Sequence, residues 1–135
     1  MKLFSFKKNS DLGILVMRTV IGTSFVFLHG FSKISGGLES WRKIGMATAN
    51  VGIHFSPAFW GFMAACSEFF GGICLILGLF FRPAAFLILC VMTVAASMHL
   101  KMGQGLMAAS HPIELGFLMI GFILAGPGKY SLDRK

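Results

Sequence analysis

Long apolar stretches separated by short polar segments dominate this chain. An α-helix needs about 20 mainly apolar residues to cross the hydrocarbon core of a bilayer. Four stretches meet or approach this length, and they predict spans at 12–32, 57–80, 83–100 and 112–125. Together these spans leave too few residues for a separate soluble domain. The pattern predicts an all-α integral membrane four-helix bundle that forms a single domain over residues 1–135.

The predicted spans begin and end at residues that favour those positions. Asp11 precedes the first span, and Ser56 precedes Pro57 as a natural N-cap before a proline in the first helical position. The last span begins at Pro112 and is short, so we expect an irregular turn inside the membrane to precede it. It stops at the Gly-Pro-Gly sequence of 126–128.

The longest segment between spans, 36–55, has a helical pattern of its own. Its apolar positions recur at helical spacing and its charged positions fall on the other face. The apolar set is Leu38, Trp41, Ile44 and Gly45, and the charged set is Glu39, Arg42 and Lys43. We expect a short amphipathic helix at the membrane interface, with Trp41 at headgroup level. An unstructured loop is the alternative.

Composition narrows the class of protein. Of the 135 residues, 56% are apolar and only 13% are charged, whereas a soluble domain has about 25% charged residues. A soluble globular protein is therefore excluded, and the apolar content also excludes a disordered chain. The net charge is +7, but no run of Lys or Arg exceeds two residues, so we expect no nucleic-acid partner. We expect a lipid bilayer to surround the protein.

The basic residues predict an orientation. Four spans put both termini on one side of the membrane. That side carries Lys2, Lys7, Lys8, Arg82, Lys129, Arg134 and Lys135, against Lys33, Arg42, Lys43 and Lys101 on the other. Because cytoplasmic loops carry an excess of Lys and Arg, both termini are expected in the cytoplasm of a multi-pass inner-membrane protein.

Ionisable residues inside the spans are the candidate functional residues, because burying them in lipid is costly unless they are paired or hydrated. The predicted buried polar pocket contains Arg18, His29, Lys33, Glu68, His99, His111 and Glu114. Counted along the helices, the carboxylates fall near the midplane and the histidines in the outer half. Arg18 and His29 are three helical turns apart, Lys33 is one further turn along, and all three would share a face with Gly22.

Each member of this set also has a structural interpretation. Arg18 could extend to the interface or pair with Glu68, and Glu114 could interact with the positive end of its helix. His99 and His111 could be interfacial. The glycines predicted to pack helices together are Gly22 in the first span and, on one stripe with Glu68 in the second, Gly61, Gly71, Gly72 and Gly78. Small residues at this spacing allow close approach of helices, so Glu68 is expected to face a neighbouring helix.

Two kinds of chemistry fit a buried His/Glu/Arg pocket. A carboxylate and a histidine can exchange protons with a quinol, between phenylalanine-rich walls. Histidines on separate helices could instead hold haem or a metal, and His111 and Glu114 have one-turn spacing. A di-metal site would need more carboxylates, so we predict no metal site. The three cysteines have no CxxC spacing, which argues against a dithiol exchange centre.

Several segments together resemble the DoxX family of small four-span membrane proteins. They are Arg18, Gly22, Phe27, His29–Gly30 and Lys33; Glu68, Gly71–Gly72, Leu75, Gly78–Leu79, Arg82 and Ala85; Glu114; and Gly126–Asp133. The resemblance implies a bacterial or archaeal inner-membrane four-helix bundle. It also implies association with membrane redox complexes, since some relatives are subunits of thiosulfate:quinone oxidoreductase.

The expected function is that of an accessory subunit of a quinone-linked oxidoreductase complex, rather than that of a self-sufficient enzyme. The expected partners are membrane-protein subunits or further copies of the chain. One alternative is a non-catalytic scaffold or assembly subunit, whose buried charges only set helix register. A haem- or metal-binding bundle is a second alternative. A small-solute carrier is disfavoured because no inverted repeat or midspan proline break is evident.

Overall fold

The computed structural model describes residues 6–133, with side chains from Asn9 onwards, and shows no strand in that part of the chain. The helices are α1 (Phe6–Ser24), α2 (Phe31–Ile34), α3 (Gly37–Gly45), α4 (Pro57–Leu77), α5 (Phe81–Lys101) and α6 (Gly105–Ala125). A π-helical segment, Phe25–Gly30, joins α1 to α2, and a 3-10 helix, Met46–Val51, follows α3. Five basic residues used above for orientation lie outside this description, either entirely or as side chains: Lys2, Lys7, Lys8, Arg134 and Lys135.

Four helical segments are long and apolar enough to cross a membrane: Asn9–Ile34, Pro57–Leu77, Phe81–Lys101 and Gly105–Ala125. A helix of 21 residues is about 31 Å long, which matches the hydrocarbon thickness of a bilayer. Large apolar side chains point outward along them; Phe27 is 68% exposed and Met107 is 87% exposed. Such a surface requires lipid around it, so the predicted all-α membrane fold is confirmed.

The helix ends differ in places from the sequence expectation. α6 begins at Gly105, so Pro112 lies inside the helix rather than at its start. A proline inside a helix removes one backbone hydrogen bond. Membrane helices tolerate such a proline because neighbouring residues compensate for the lost bond. α1 likewise begins before Asp11, whose carboxylate accepts a hydrogen bond from the Lys129 N–H instead of capping the helix.

The four long helices are neighbours in the bundle in the order in which they occur along the chain. α4 packs against α1, α3 and α5, and α5 packs against α6. Within the described residues, no Cα atom of α6 comes within 8 Å of one in α1, the π segment or α2. Apolar side chains fill the interior between them, among them Phe25, Ile88, Met119 and Phe122.

Glycines bring the backbones of α1, α3 and α4 into contact. A Cβ at Gly22 would lie 2.6 Å from the Gly72 carbonyl oxygen, so α1 meets α4 backbone to backbone. A Cβ at Gly61 would lie 1.6 Å from the Trp41 carbonyl oxygen, and one at Gly45 would lie 1.6 Å from that of Pro57. α3 therefore runs antiparallel to the first turns of α4, and it is the short helix that the 36–55 pattern predicts.

A segment that we call the C-terminal strap (residues 126–133) crosses one end of the bundle. The Asp133 carboxylate accepts hydrogen bonds from the N–H groups of Phe80 and Phe81 at 2.9 and 2.8 Å. The N–H of Asp133 donates to the Gly78 carbonyl at 2.9 Å. These contacts hold Phe80 at φ 46°, which is unfavourable for a residue with a side chain. We call this the terminal end; the opposite end, with residues 35–56, is the loop end.

Candidate functional site

An ion pair between the first span and α4 is the most deeply placed charged contact among the described residues. Glu68 is 0% exposed. The Lys33 Nζ donates to both of its carboxylate oxygens, at 2.9 and 2.7 Å. The Lys33 side chain is 31% exposed, whereas that of Glu68 is 1% exposed. Lys33 therefore connects a fully buried carboxylate to the surface at the loop end.

α3 holds the backbone of Lys33 in place. The indole Nε1 of Trp41 donates to the Lys33 carbonyl at 2.9 Å, and this carbonyl also accepts from the Gly36 N–H at 3.2 Å. The Trp41 ring packs edge-on against Phe62 of α4, with 4.8 Å between ring centroids. The Gly61 contact with the Trp41 backbone fixes the depth of this tryptophan. Lys33 is thus positioned by two helices besides its own.

Two histidines lie beside the ion pair. The rings of His29 and His111 have centroids 5.5 Å apart, and this contact bridges the first span and α6. The charges of Glu68, Lys33 and His111 all act on the His29 imidazole. His29 is half-buried and His111 is exposed. We call His29, Lys33, Glu68 and His111 the polar cluster.

Arg18 lies apart from the polar cluster, at the terminal end. It is 1% exposed. Its Nη1 donates to the carbonyls of Leu75 and Ile76 at 3.1 and 2.6 Å, and its Nη2 donates to the carbonyl of Tyr130 in the C-terminal strap. Arg18 therefore binds the last turn of α4 to the strap and makes no ion pair with Glu68. The π segment between Arg18 and His29 also breaks the regular spacing that would put them on one face.

The structure does not bring His99 or Glu114 into the polar cluster. The His99 Nδ1 hydrogen-bonds with the Gln104 side chain at the loop end. Glu114 is exposed on α6 and has no hydrogen bond or ion pair with any described residue. Of the seven predicted pocket residues, four therefore meet: His29, Lys33, Glu68 and His111.

Three features of this site were missed from sequence: the direct Lys33–Glu68 pair, the role of Trp41, and the strap carbonyl that binds Arg18. Lys33 lies one helical turn beyond His29 in the sequence, and this spacing could have indicated that Lys33 belongs to the same site. Nothing in the sequence pattern pointed to the Trp41 or Tyr130 contacts, because both depend on tertiary approach.

The described residues also limit the ligands that this site could hold. No group of three or more His, Cys, Asp or Glu side chains in them is arranged to hold a metal ion. A groove of about 280 Å³ runs between α5 and α6 and is lined by apolar residues such as Met92 and Phe117. No residue of the polar cluster lines it. The chemistry available is that of a buried carboxylate, an ammonium on a flexible stem and two imidazoles, which together can bind and pass protons.

The fold and the site define a small four-span helical membrane protein in which a buried carboxylate in the middle of α4 pairs with a lysine from the loop end. Residues 13–101 match the DoxX family model. The matched range covers Arg18, His29, Lys33 and Glu68. The chain therefore belongs to the DoxX family. No curated protein and no solved structure matches the chain.

Proposed function

We propose that the protein is a membrane subunit of a quinone-linked redox complex and that its polar cluster exchanges protons with the quinone or quinol. The single observation behind this proposal is the Glu68 carboxylate, 0% exposed and held by the Nζ of Lys33 at 2.7 Å. Ionisable groups at this depth in a membrane protein mark substrate or proton pathways. His29 lies within electrostatic reach of both.

In this proposal, Lys33 neutralises Glu68 in the resting state. When the Lys33 ammonium turns toward the loop end, Glu68 is free to accept a proton, with His29 and His111 as the relay to the surface. A quinol releases two protons and two electrons when it is oxidised. The electrons would pass to a partner subunit, and the polar cluster would take up the protons.

The test uses Trp41 as a reporter, because its indole contacts the Lys33 carbonyl directly. In a Trp60→Phe background, Trp41 is the remaining tryptophan of the chain. A short-tailed ubiquinone is titrated into the purified protein in mild detergent, and fluorescence quenching gives Kd. We expect Glu68→Gln and His29→Ala each to raise Kd about tenfold, as for the loss of one hydrogen bond to a charged group.

Glu39→Gln is the matched control. Glu39 carries the same carboxylate, but its side chain is 75% exposed on α3 and it pairs only with Arg42. Its replacement should leave Kd unchanged. Circular dichroism checks that each variant keeps its helix content. The proposal is wrong if the unmodified protein does not bind quinone, or if all three variants bind it equally well.

A second function, that of a non-catalytic assembly subunit, is favoured by Arg18. All of its hydrogen bonds go to backbone carbonyls, an arrangement that joins helices and leaves no charge for chemistry. The activity of the complex that co-purifies from native membranes separates the two functions. An assembly subunit would bring partner subunits with it, and Glu68→Gln would leave the activity of that complex unchanged.

We also propose that the chain lies in a bacterial inner membrane with both termini in the cytoplasm. The described cationic side chains at the terminal end include Arg82 and Lys129, and the terminal residues add further positive charge. Alkaline phosphatase fused after Lys135 is active only when it is exported. We expect no phosphatase activity from this fusion, and high activity would reverse the assignment.

A further inference from the structure

Glu114 lies in an unusual place for a carboxylate. In α6 (Gly105–Ala125) it is about 14 Å from the loop end and about 16 Å from the terminal end at 1.5 Å per residue. It is exposed, and no described residue pairs with it. A carboxylate facing lipid at this depth is costly, so in the membrane another group must cover it.

The helical positions show which face of α6 carries this carboxylate. At about 100° per residue, Glu114 lies opposite the buried residues of the same helix, which are Ala109, Pro112, Gly116 and Met119. It therefore points directly away from the bundle. Phe117, 70% exposed, and Met107, 87% exposed, flank it on the same outward side.

Small residues on this face permit close approach of another helix. Ser110, Gly121 and Ala125 lie on one stripe of α6 with Glu114. A Cβ at Gly121 would meet nothing within 4 Å, so packing within the chain does not require a glycine there. Glycine is also unfavourable inside a helix. Small residues facing lipid are typical of the interfaces of membrane helices.

We infer that a second copy of this chain covers the face, with His111 of each copy hydrogen-bonded to Glu114 of the other. His111 lies one turn from Glu114, is exposed, and has no hydrogen bond with a described residue. A two-fold interface must be self-complementary, and this face carries both a donor and an acceptor. The charge pattern thus matches a second copy without requiring any other partner. The inference shares His111, whose ring contacts His29, with the quinone proposal, but neither its observations at Glu114 nor its test requires quinone binding.

Disulfide cross-linking tests this interface in vesicles that contain only the purified chain at low protein-to-lipid ratio. The background replaces Cys66, Cys74 and Cys90 with alanine. Ser110→Cys places a thiol one turn from Glu114. Ser97→Cys is the matched control, because it makes the same small change on α5, and both serines lie about 6–8 Å inside the loop end. We expect a cross-linked dimer from Ser110→Cys and none from Ser97→Cys.

Two further variants test the hydrogen bonds themselves. In the Ser110→Cys background, Glu114→Leu and His111→Ala should each raise the dimer dissociation constant about tenfold. Glu114 points away from the bundle, so its replacement should leave the helix content by circular dichroism unchanged.

The inference is overturned if Ser110→Cys stays monomeric or if Ser97→Cys cross-links equally well. It is also overturned if neither substitution weakens the dimer. In native membranes, cross-linking of Ser110→Cys to a different protein, with no dimer formed, would show that another subunit covers this face.

Discussion

Replacing Arg18 with methionine should release the C-terminal strap from the end of the bundle. Methionine fills a similar volume without the guanidinium, so the carbonyls of Leu75, Ile76 and Tyr130 lose their donor. The first two belong to the last turn of α4, and the third belongs to the strap. The substitution therefore cuts the contact that joins the two ends of the sequence through α4.

The size of the effect follows from these contacts. Of the three bonds, only the one from the Arg18 Nη2 to the Tyr130 carbonyl reaches the strap, and a hydrogen bond to a charged group contributes about 1.5–3 kcal/mol. The gain is reduced because burying the guanidinium is itself costly and because bonds in one network are not additive. We expect Arg18→Met to lower the free energy of strap docking by about 2 kcal/mol, which is a factor of about 30 in the open population.

Tryptic cleavage after Lys129 measures strap opening. Lys129 lies inside the strap, and its N–H is held by Asp11 at 3.1 Å. When opening and closing are fast, the cleavage rate follows the open population, so cleavage in Arg18→Met should be about thirtyfold faster. Cleavage after Lys101, at the loop end, serves as an internal reference and should not change.

Arg82→Met is the matched control, since Arg82 lies at the same end. Its Nε donates a single hydrogen bond to the Ile123 carbonyl at 2.9 Å, and the side chain is exposed. An exposed single bond contributes less than about 1.5 kcal/mol, so cleavage should accelerate only a few-fold. Equal cleavage rates in the Arg18 and Arg82 variants would refute the assignment of the buried arginine as the link to the strap.

Substitutions at Asp133 and Gly61 test two other tertiary contacts, one of hydrogen bonds and one of close packing. Asp133→Ala removes both acceptors for the N–H groups that begin α5 and should lower stability in detergent by about 1–2 kcal/mol, measured by thermal unfolding. Asp133→Asn keeps one acceptor and should lose less, and an equal loss would contradict this account. In the Trp60→Phe background, Gly61→Ala puts a Cβ 1.6 Å from a backbone oxygen of α3 and should shift Trp41 emission to longer wavelength as α3 separates. Gly13→Ala, where a Cβ meets nothing within 4 Å, should leave the emission unchanged.

The membrane fold could be predicted from sequence because hydrophobicity acts locally. A run such as the one around Leu75 and Ile76 is apolar enough to span a bilayer whatever its neighbours are, so the four spans follow from composition alone. Helix ends were harder to predict where a proline was ambiguous. Pro112 suits a first helical position, yet the flanking residues extend α6 back to Gly105.

The polar cluster could be predicted only in part. His29 and Glu68 were expected inside the spans, and Lys33 and His111 directly beside a span end, because ionisable residues in or next to apolar stretches are conspicuous. Which of them would meet was not predictable. The π segment changes the register of the first span by a fraction of a turn, and spacing rules for a regular helix do not include it.

The sequence by itself determined that this is a four-span helical membrane protein of the DoxX family with a few ionisable residues inside its spans. Tertiary structure alone decided that Lys33, not Arg18, neutralises Glu68, that Arg18 binds the strap, and that Glu114 faces outward. The physical reason is the distance along the chain over which each interaction acts. Transfer of a residue into lipid depends on that residue and its near neighbours, whereas a charge pair depends on where separate helices bring their side chains.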